Sequence, residues 1–555
     1  MKRQFLAGLL LLPLAACVGD SSPTLQSSVA GLFDDGAGLA AGEVRSLTGA
    51  QAQRVLLSGG SGGAEYLYVP LNAAPSGDAR LAVEVGGTGV QPPTGPPNPS
   101  LTPGLNQALD GQALTQDWAF HYRLREREIR ELTPRMRSAR EAFARAPSAS
   151  RSTVALAVST VGDIVTLNAS TQACTSPNNR TGRVVAVSDR AVIVEDVANP
   201  AGGFSAEEYR RIAVTFDTLI YPVDTRNFGE PGDIDANSRV VIFYTRAVNE
   251  LTEPNSSSFV GGFFFGRDLL PKSTCATSNV AEIFYLLAPD PTGAIGGNVR
   301  SKDFVLRSTL GTVAHEFQHL INSSRRLYVN NAQVFEEVWL NEGLSHIAEE
   351  LQFFQVTPLE PRQNIDVDAI LASPQILEAF NTYQIANFGR YSTYLENPDT
   401  ASPRWPDNLS TRGAIWAFLR YAADQEPGSD RDFFFSLVNS KTAGLANLNQ
   451  ALEADAIDLM QSWTVSVYTD DAVPSVSPLY MQPSWNFRSI VTRIRSTFPL
   501  KVNTLGATQT TFNLRPGGGA FVRFGVPAGQ RAAISTTSGG AVPPPNLRIS
   551  VVRIR

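Results

Sequence analysis

The chain has 555 residues, 43% hydrophobic and 18% charged, a balance that suits about three to four compact units and excludes disordered and collagen-like classes. With 46 Lys and Arg against 52 Asp and Glu, the net charge is -6, so no strongly basic field exists to bind polyphosphate and nucleic acid is not an expected partner. Gly 44 and Pro 36 indicate many turns without low complexity.

At the start of the chain, Lys2 and Arg3 precede an apolar run from Phe5 to Leu14, followed by Ala15, Ala16 and Cys17. The run is too short to span a membrane and has the charged, apolar and small-residue parts of a secretory signal. Leu14-Ala15-Ala16-Cys17 resembles the lipobox of bacterial lipoproteins. That resemblance implies a signal peptide over 1–16, lipidation at Cys17, and a body exported to the bacterial envelope or cell surface, tethered to the membrane by lipid. An ordinary signal peptide with an incidental cysteine is the alternative. Val18 lacks the Asp that resembles an inner-membrane retention signal, which leans towards the outer membrane. With Cys17 given to the anchor, Cys174 and Cys275 form an even pair in an oxidising compartment, and a disulfide between them is expected over two free thiols.

Residues 17–42 are Ser, Gly and Ala rich and suit a flexible tether. Over 43–90, apolar runs such as Tyr66-Leu67-Tyr68-Val69 between glycines predict a small β domain. The stretch 91–105 reads as a proline-rich linker, and 106–146 as a helical segment whose alternating Arg and Glu make a solvated face. From 150 to about 300 strand-like runs return, including Val240-Val241-Ile242-Phe243-Tyr244 and Glu282-Ile283-Phe284-Tyr285-Leu286-Leu287. Helical periods follow to about 470. Residues 487–555 alternate again, as in Phe521-Val522-Arg523-Phe524, and predict a C-terminal β-sandwich-like domain.

Of the four histidines, two fall in His315-Glu316-Phe317-Gln318-His319, an H-E-x-x-H pattern. Leu306, Leu310, Val313, Phe317 and Leu320 recur as one apolar helix stripe, so the pattern lies on a helix. One turn sets His315 and His319 on a common face, where two imidazoles can converge on Zn²⁺ and Glu316 can act as general base. A catalytic zinc needs a third ligand. The next helical stretch runs from Glu336 to Glu350, with Leu340, Leu344, Ile347 and Leu351 as its buried stripe.

These residues resemble the gluzincin peptidases, in which an Asn-Glu pair on the following helix supplies the third ligand. Here the pair is Asn341-Glu342, and the resemblance assigns Glu342, with Glu336 and Glu337 as competing ligands. Ala314-His315-Glu316-Phe317-Gln318-His319-Leu320-Ile321-Asn322 and Trp339-Leu340-Asn341-Glu342-Gly343-Leu344-Ser345 look most like the hyicolysin-like neutral metallopeptidases. The implied fold class is α+β: a zincin-like metallopeptidase domain over 150–470, built from a mixed sheet plus a helical subdomain, flanked by the small β domains. Relatives often carry an acidic group four residues beyond the third ligand; here His346 stands there, as an expected second-shell or oxyanion group, with Glu349 and Glu350 as fallbacks. Relatives also use a Tyr or His at the oxyanion, for which Tyr383, Tyr391 and Tyr394 are candidates. The remaining histidine, His121, reads as structural.

The implied activity is zinc-dependent hydrolysis of protein or peptide substrates, with an extended substrate pairing along Glu282 to Leu287. An aminopeptidase of the same zinc class is the alternative within enzymes, although no Gly-x-Met-Glu-Asn clamp for a free amino terminus is present. An adhesion lipoprotein with a vestigial zincin fold is the alternative outside them. Asp233-Ile234-Asp235-Ala236-Asn237 resembles the start of a Ca²⁺ loop, but Ser238 replaces Gly and Tyr244 stands where the bidentate Glu belongs, so an acidic turn competes with a calcium site.

Overall fold

Near the N-terminus, five strands form: β1 (Leu32–Asp34), β2 (Val44–Thr48), β3 (Arg54–Ser58), β4 (Ala64–Asn72) and β5 (Leu81–Thr88). The computed structural model describes residues 32–95, 118–145, 160–256 and 258–555, so the expected signal peptide and the lipidated Cys17 lie outside the described residues. The tether expected over 17–42 stops short of its assigned end, because β1 pairs with β3 and Leu39 is buried. Apolar Leu32, Phe33 and Leu39 are better placed in a core than in water.

Two helices follow, α1 (Trp118–Leu132) and α2 (Met136–Arg145). Their Arg and Glu residues do not form the single solvated face expected from their alternation. Arg137, Glu141 and Arg145 pair in solvent, whereas Arg125 and Glu128 are buried and bonded to each other at 2.7 Å. Phe120, Leu124, Leu132 and Met136 join the main core, so the helical segment belongs to the body that carries the site.

That body is built on a mixed six-stranded sheet of β6 (Ile164–Asn168), β7 (Asn179–Val187), β8 (Ala191–Asp196), β9 (Val240–Tyr244), β10 (Gly262–Phe264) and β11 (Ile283–Leu286). The order is β10-β11-β9-β8-β7-β6, with β8, β9 and β11 parallel and β10 antiparallel. The helices α3 (Ala206–Thr215) and α4 (Tyr221–Phe228) cross from β8 to β9, and the short α5 (Arg246–Asn249) follows β9. All of β9 and β11 is buried, which explains their unbroken apolar sequences. This arrangement corrects the expected substrate strand: β11 lies between β10 and β9 with its hydrogen bonds taken, and β10 is the edge strand on that side. Cys174 and Cys275 are bridged, with Cα atoms 5.0 Å apart across a separation of 101 residues.

Against the sheet lies α6 (Lys302–Ser324), started by the Ser301 side chain accepting from the Phe304 amide. From Gly311 to Ser324 every residue is buried, so the helix is enclosed on all sides beyond its predicted stripe. The helix α7 (Val338–Val356) packs on it, and α8 (Val367–Leu371), α9 (Pro374–Tyr383), α10 (Ile385–Glu396) and α11 (Leu409–Gln425) build the helical subdomain. Gly413 sets the approach of α11 to α10, since a Cβ there would sit 2.2 Å from the Tyr391 nitrogen. Gly343 does the same between α7 and α11, where a Cβ would meet Ile415 at 2.5 Å.

The remaining strands are β12 (Val502–Thr504), β13 (Thr510–Leu514), β14 (Phe521–Val526), β15 (Arg531–Thr537) and β16 (Leu547–Arg553). The two terminal β domains expected as separate modules are one sandwich, with sheets β1-β3-β15-β5-β13 and β12-β14-β4-β16-β2. Neither end could close alone: β4 pairs with β14 and β16, and β15 with β3 and β5. Alternation along β4 shows how the sandwich is mounted. Tyr66 and Tyr68 point into the sandwich core, and Leu67 and Val69 into the main core of the chain.

Candidate metal centre

The helix pair α6 and α7 brings His315, His319 and Glu342 together, one ligand atom of each lying within 4.8 Å of the others. His315 Nε2 is 3.4 Å and His319 Nε2 3.7 Å from the Glu342 carboxylate. The donor set suits zinc. Among the described residues His315 Nε2 and both Glu342 oxygens are enclosed without a hydrogen-bond partner, with Arg412 as a cation 3.0 Å from one Glu342 oxygen, and a metal between the three side chains would satisfy the remaining atoms. Glu342 is held well below the usual carboxylate range: burial opposes this, but Arg412 and His319 outweigh it. For His315, burial favours the neutral ring, yet Glu342 and Glu349 overcome it and hold the imidazole up at about 9. His319, enclosed with weaker help, is pushed well down by burial.

Each histidine is oriented from behind. His315 Nδ1 lies 2.8 Å from Glu349 Oε1, and His319 Nδ1 lies 3.1 Å from Asn341 Oδ1 and 3.0 Å from Ser345 Oγ. Glu349 occupies the role that the sequence left between His346 and two glutamates. His346 is fully buried and places its own Nδ1 3.0 Å from the same Glu349 oxygen, so it touches the orienting carboxylate, with its ring 4.8 Å from that of His315, and does not face solvent. Arg390 also neighbours Glu349, at 3.6 Å. Glu350 points elsewhere, accepting from Trp485 Nε1 at 2.7 Å.

Glu316, the expected base, is buried beside the ligands and accepts the Phe264 amide at 2.7 Å. Burial, only partly offset by His315 and Arg125, raises its pKa. The competing ligands are placed away. Glu336 is bound by Arg326, the Gly444 amide at 2.6 Å and Asn447 at 2.8 Å, while Glu337 accepts Trp339 Nε1 at 2.6 Å. Tyr391 does not reach the centre: its ring packs on Phe487 and Tyr394, inside the helical subdomain. Tyr394 stacks on Trp463, and Tyr383 is buried at the end of α9.

Several groups near the centre have no signal in the local sequence. Arg412 on α11 lies 3.0 Å from Glu342 Oε2 and grips Asp407 with two bonds of 2.9 Å. The α1 side chains His121, Arg125 and Glu128 approach from the other side. His121, read as structural, is buried with both ring nitrogens lacking a hydrogen-bond partner among the described residues, and its charged form is opposed first by burial and then by Arg412.

No family model matches the chain. It is 28% identical over 250 residues to the neutral metalloprotease ShpI of Staphylococcus hyicus, a match covering 44% of this chain and 48% of that protein. The likeness supports a metallopeptidase family and a metal-dependent hydrolase. The chain spans about half the length of the curated relative it matches.

Proposed function

We propose that the protein is a zinc endopeptidase that hydrolyses proteins or peptides at this centre. The observation that carries the reading is the enclosed set of His315, His319 and Glu342 with unsatisfied atoms turned to one another and the Glu316 carboxylate beside them. Those three residues would hold Zn²⁺, whose chemistry when bound is Lewis acidity toward a carbonyl and a water. Glu316 takes the proton of the attacking water and returns it to the leaving amine, a role favoured by a carboxylate whose proton affinity is raised by burial. Glu349 and Asn341 fix the ring orientations that point both Nε2 atoms at one place.

The reading includes export and a lipid anchor at Cys17, with the outer membrane favoured over the inner, and Ca²⁺ as a second ion at the Asp233 loop. It is supported by the lipobox-like sequence and by the Cys174–Cys275 bridge, which suits an oxidising compartment. Among the described residues no helix is long and apolar enough to cross a membrane.

The test uses zinc-loaded protein beginning at Val18 beside its Glu316→Gln variant. Both should hold one zinc, and casein cleavage should fall at least about a thousandfold in the variant. Equal cleavage by both would remove Glu316 as base. An N-acetylated peptide cut as fast as its free-amine counterpart would mark an endopeptidase; strict dependence on the free amine would replace this reading with an aminopeptidase.

A further inference from the structure

We propose that α1 occupies the substrate groove, its side chains taking the backbone groups of the β10 edge with which an extended peptide would pair. This rests on the peptidase reading. The backbone groups turned away from β11 belong to Gly262 and Phe264 of β10 and, in the turn that follows, to Gly266. Three of these groups are taken by side chains: the Phe264 amide by Glu316, the Phe264 carbonyl by Arg125, and the Gly266 amide by Glu128 at 2.6 Å. Two of those partners are on α1. A helix cannot pair with a strand edge through its own backbone, so these side chains replace the acceptor and donor of a peptide.

His121, Arg125 and Glu128 are spaced four and three residues apart, which puts them on one helix face. Each is at most 2% exposed, although each carries an ionisable group. Charged groups are rarely enclosed unless paired, and this stripe is enclosed against the metal centre, in electrostatic reach of Glu342. The ligands and base are themselves at most 4% exposed, so no substrate reaches them while α1 is seated. The groove is wider than the helix: a cavity of about 460 Å³ remains between Tyr122, Glu126 and Ile129 of α1 and Trp339, Trp405 and Asp407. The chain is therefore self-covered, and displacement of α1 exposes the centre to an extended peptide.

The experiment compares the full chain with Arg125→Ala/Glu128→Ala and, separately, with Leu124→Asp, all loaded with zinc. The rate at which 1,10-phenanthroline removes the metal reports cover without any peptidase activity. Release at least about tenfold faster in the variants, with casein cleavage raised by a similar factor and thermal unfolding still cooperative, is the expected result. Equal release and equal cleavage in folded variants would overturn the cover. Failure of any form to bind zinc would overturn the peptidase reading, and the cover with it; zinc bound and released faster without casein cleavage would retain the cover while removing casein as a substrate.

A different observation carries a second proposal. The structure assigns a calcium-class site to Asp233, Asp235 and Glu282, whose carboxylate oxygens lie within 4.8 Å of one another. The sequence pattern lacked its final bidentate Glu, and Glu282, at the start of β11, supplies a carboxylate from a distant part of the chain. Glu282 is 2% exposed; one oxygen accepts the Ile234 amide at 2.9 Å, and the other is enclosed without a partner beside a cavity of about 200 Å³. Ser238, where a calcium loop has Gly, adopts the same left-handed turn at φ +59°. Among the described residues none of the three carboxylates has an ion-pair partner. Arg190 and Arg239 line the cavity but are engaged, over the Tyr221 ring and at the Ser188 carbonyl. An all-oxygen donor set selects a hard divalent ion.

Titrating CaCl2 into the full, zinc-loaded chain in chelating-resin-treated buffer should show one site by calorimetry and a Tm rise of several degrees. Glu282→Gln and the more conservative surface change Asp233→Asn should each weaken binding at least about tenfold. No binding by the parent protein, or unchanged binding in folded variants, would overturn the site.

Discussion

Glu349 holds His315 from behind, its Oε1 2.8 Å from Nδ1, and it does so from two helical turns beyond Glu342 on the same helix. Burial raises the Glu349 pKa, but His346, His315 and Arg390 outweigh it and keep the carboxylate ionised. An ionised carboxylate can only accept, so His315 Nδ1 carries a proton, and Nε2 is the nitrogen left to offer its lone pair to a metal at the centre. Glu349→Ala should therefore lower zinc affinity about 10- to 100-fold in competition with a fluorescent chelator. Affinity within a factor of two of the parent would show that the bond does not orient the ligand.

Arg412 is the buried cation shared by Asp407 and Glu342. Its removal leaves two enclosed carboxylates, a defect of about 3–5 kcal/mol in urea unfolding of the metal-free protein. Zinc should reduce that loss, because it supplies Glu342 with another cation. Arg412→Lys should recover only part of it, since an ammonium cannot reproduce the forked grip on Asp407. A loss below about 1 kcal/mol would contradict the arrangement.

The Cys174–Cys275 bridge closes a loop spanning 101 residues and ties the hairpin after β6 to the segment before β11. Chain-entropy arguments put its stabilisation at about 4–5 kcal/mol. Replacing both residues with alanine should lower the Tm by several degrees, and protein starting at Val18 should show no free thiol before reduction. Two reactive thiols in folded, unreduced protein would remove the bridge.

Asp470 is enclosed, and burial together with the Asp471 charge pushes its pKa up to about 8. The folded state thus binds a proton that the unfolded chain releases near pH 4, so this group's contribution to stability falls as pH rises between about 4 and 8. Asp470→Asn keeps an oxygen to accept the Gln482 amide, now 3.0 Å from Asp470 Oδ1. The variant should match the parent at pH 4 and melt a few degrees higher at pH 8.5. Identical melting at both values would show that Asp470 ionises normally.

What the sequence determined by itself was local. Helical spacing is a property of consecutive residues, so the facing of His315 and His319, the helix carrying them and the following helix with Glu342 were readable from order alone. Strands were also readable as runs, including β4, β9 and β11. Partnership was not. Strand pairing is a contact between distant segments, so β4 meeting β14 and β16 turned two expected β domains into one sandwich, and the position of β10 at the edge displaced β11 as the substrate strand. The same holds for charges. Arg125, Glu128 and Glu141 are alike in a local window of alternating Arg and Glu, yet tertiary packing enclosed the first two against β10 and left the third in solvent. Glu349 over His346, Arg412 at Glu342 and Glu282 at the Asp233 loop were likewise decided in three dimensions, because a buried charge is defined by what encloses it.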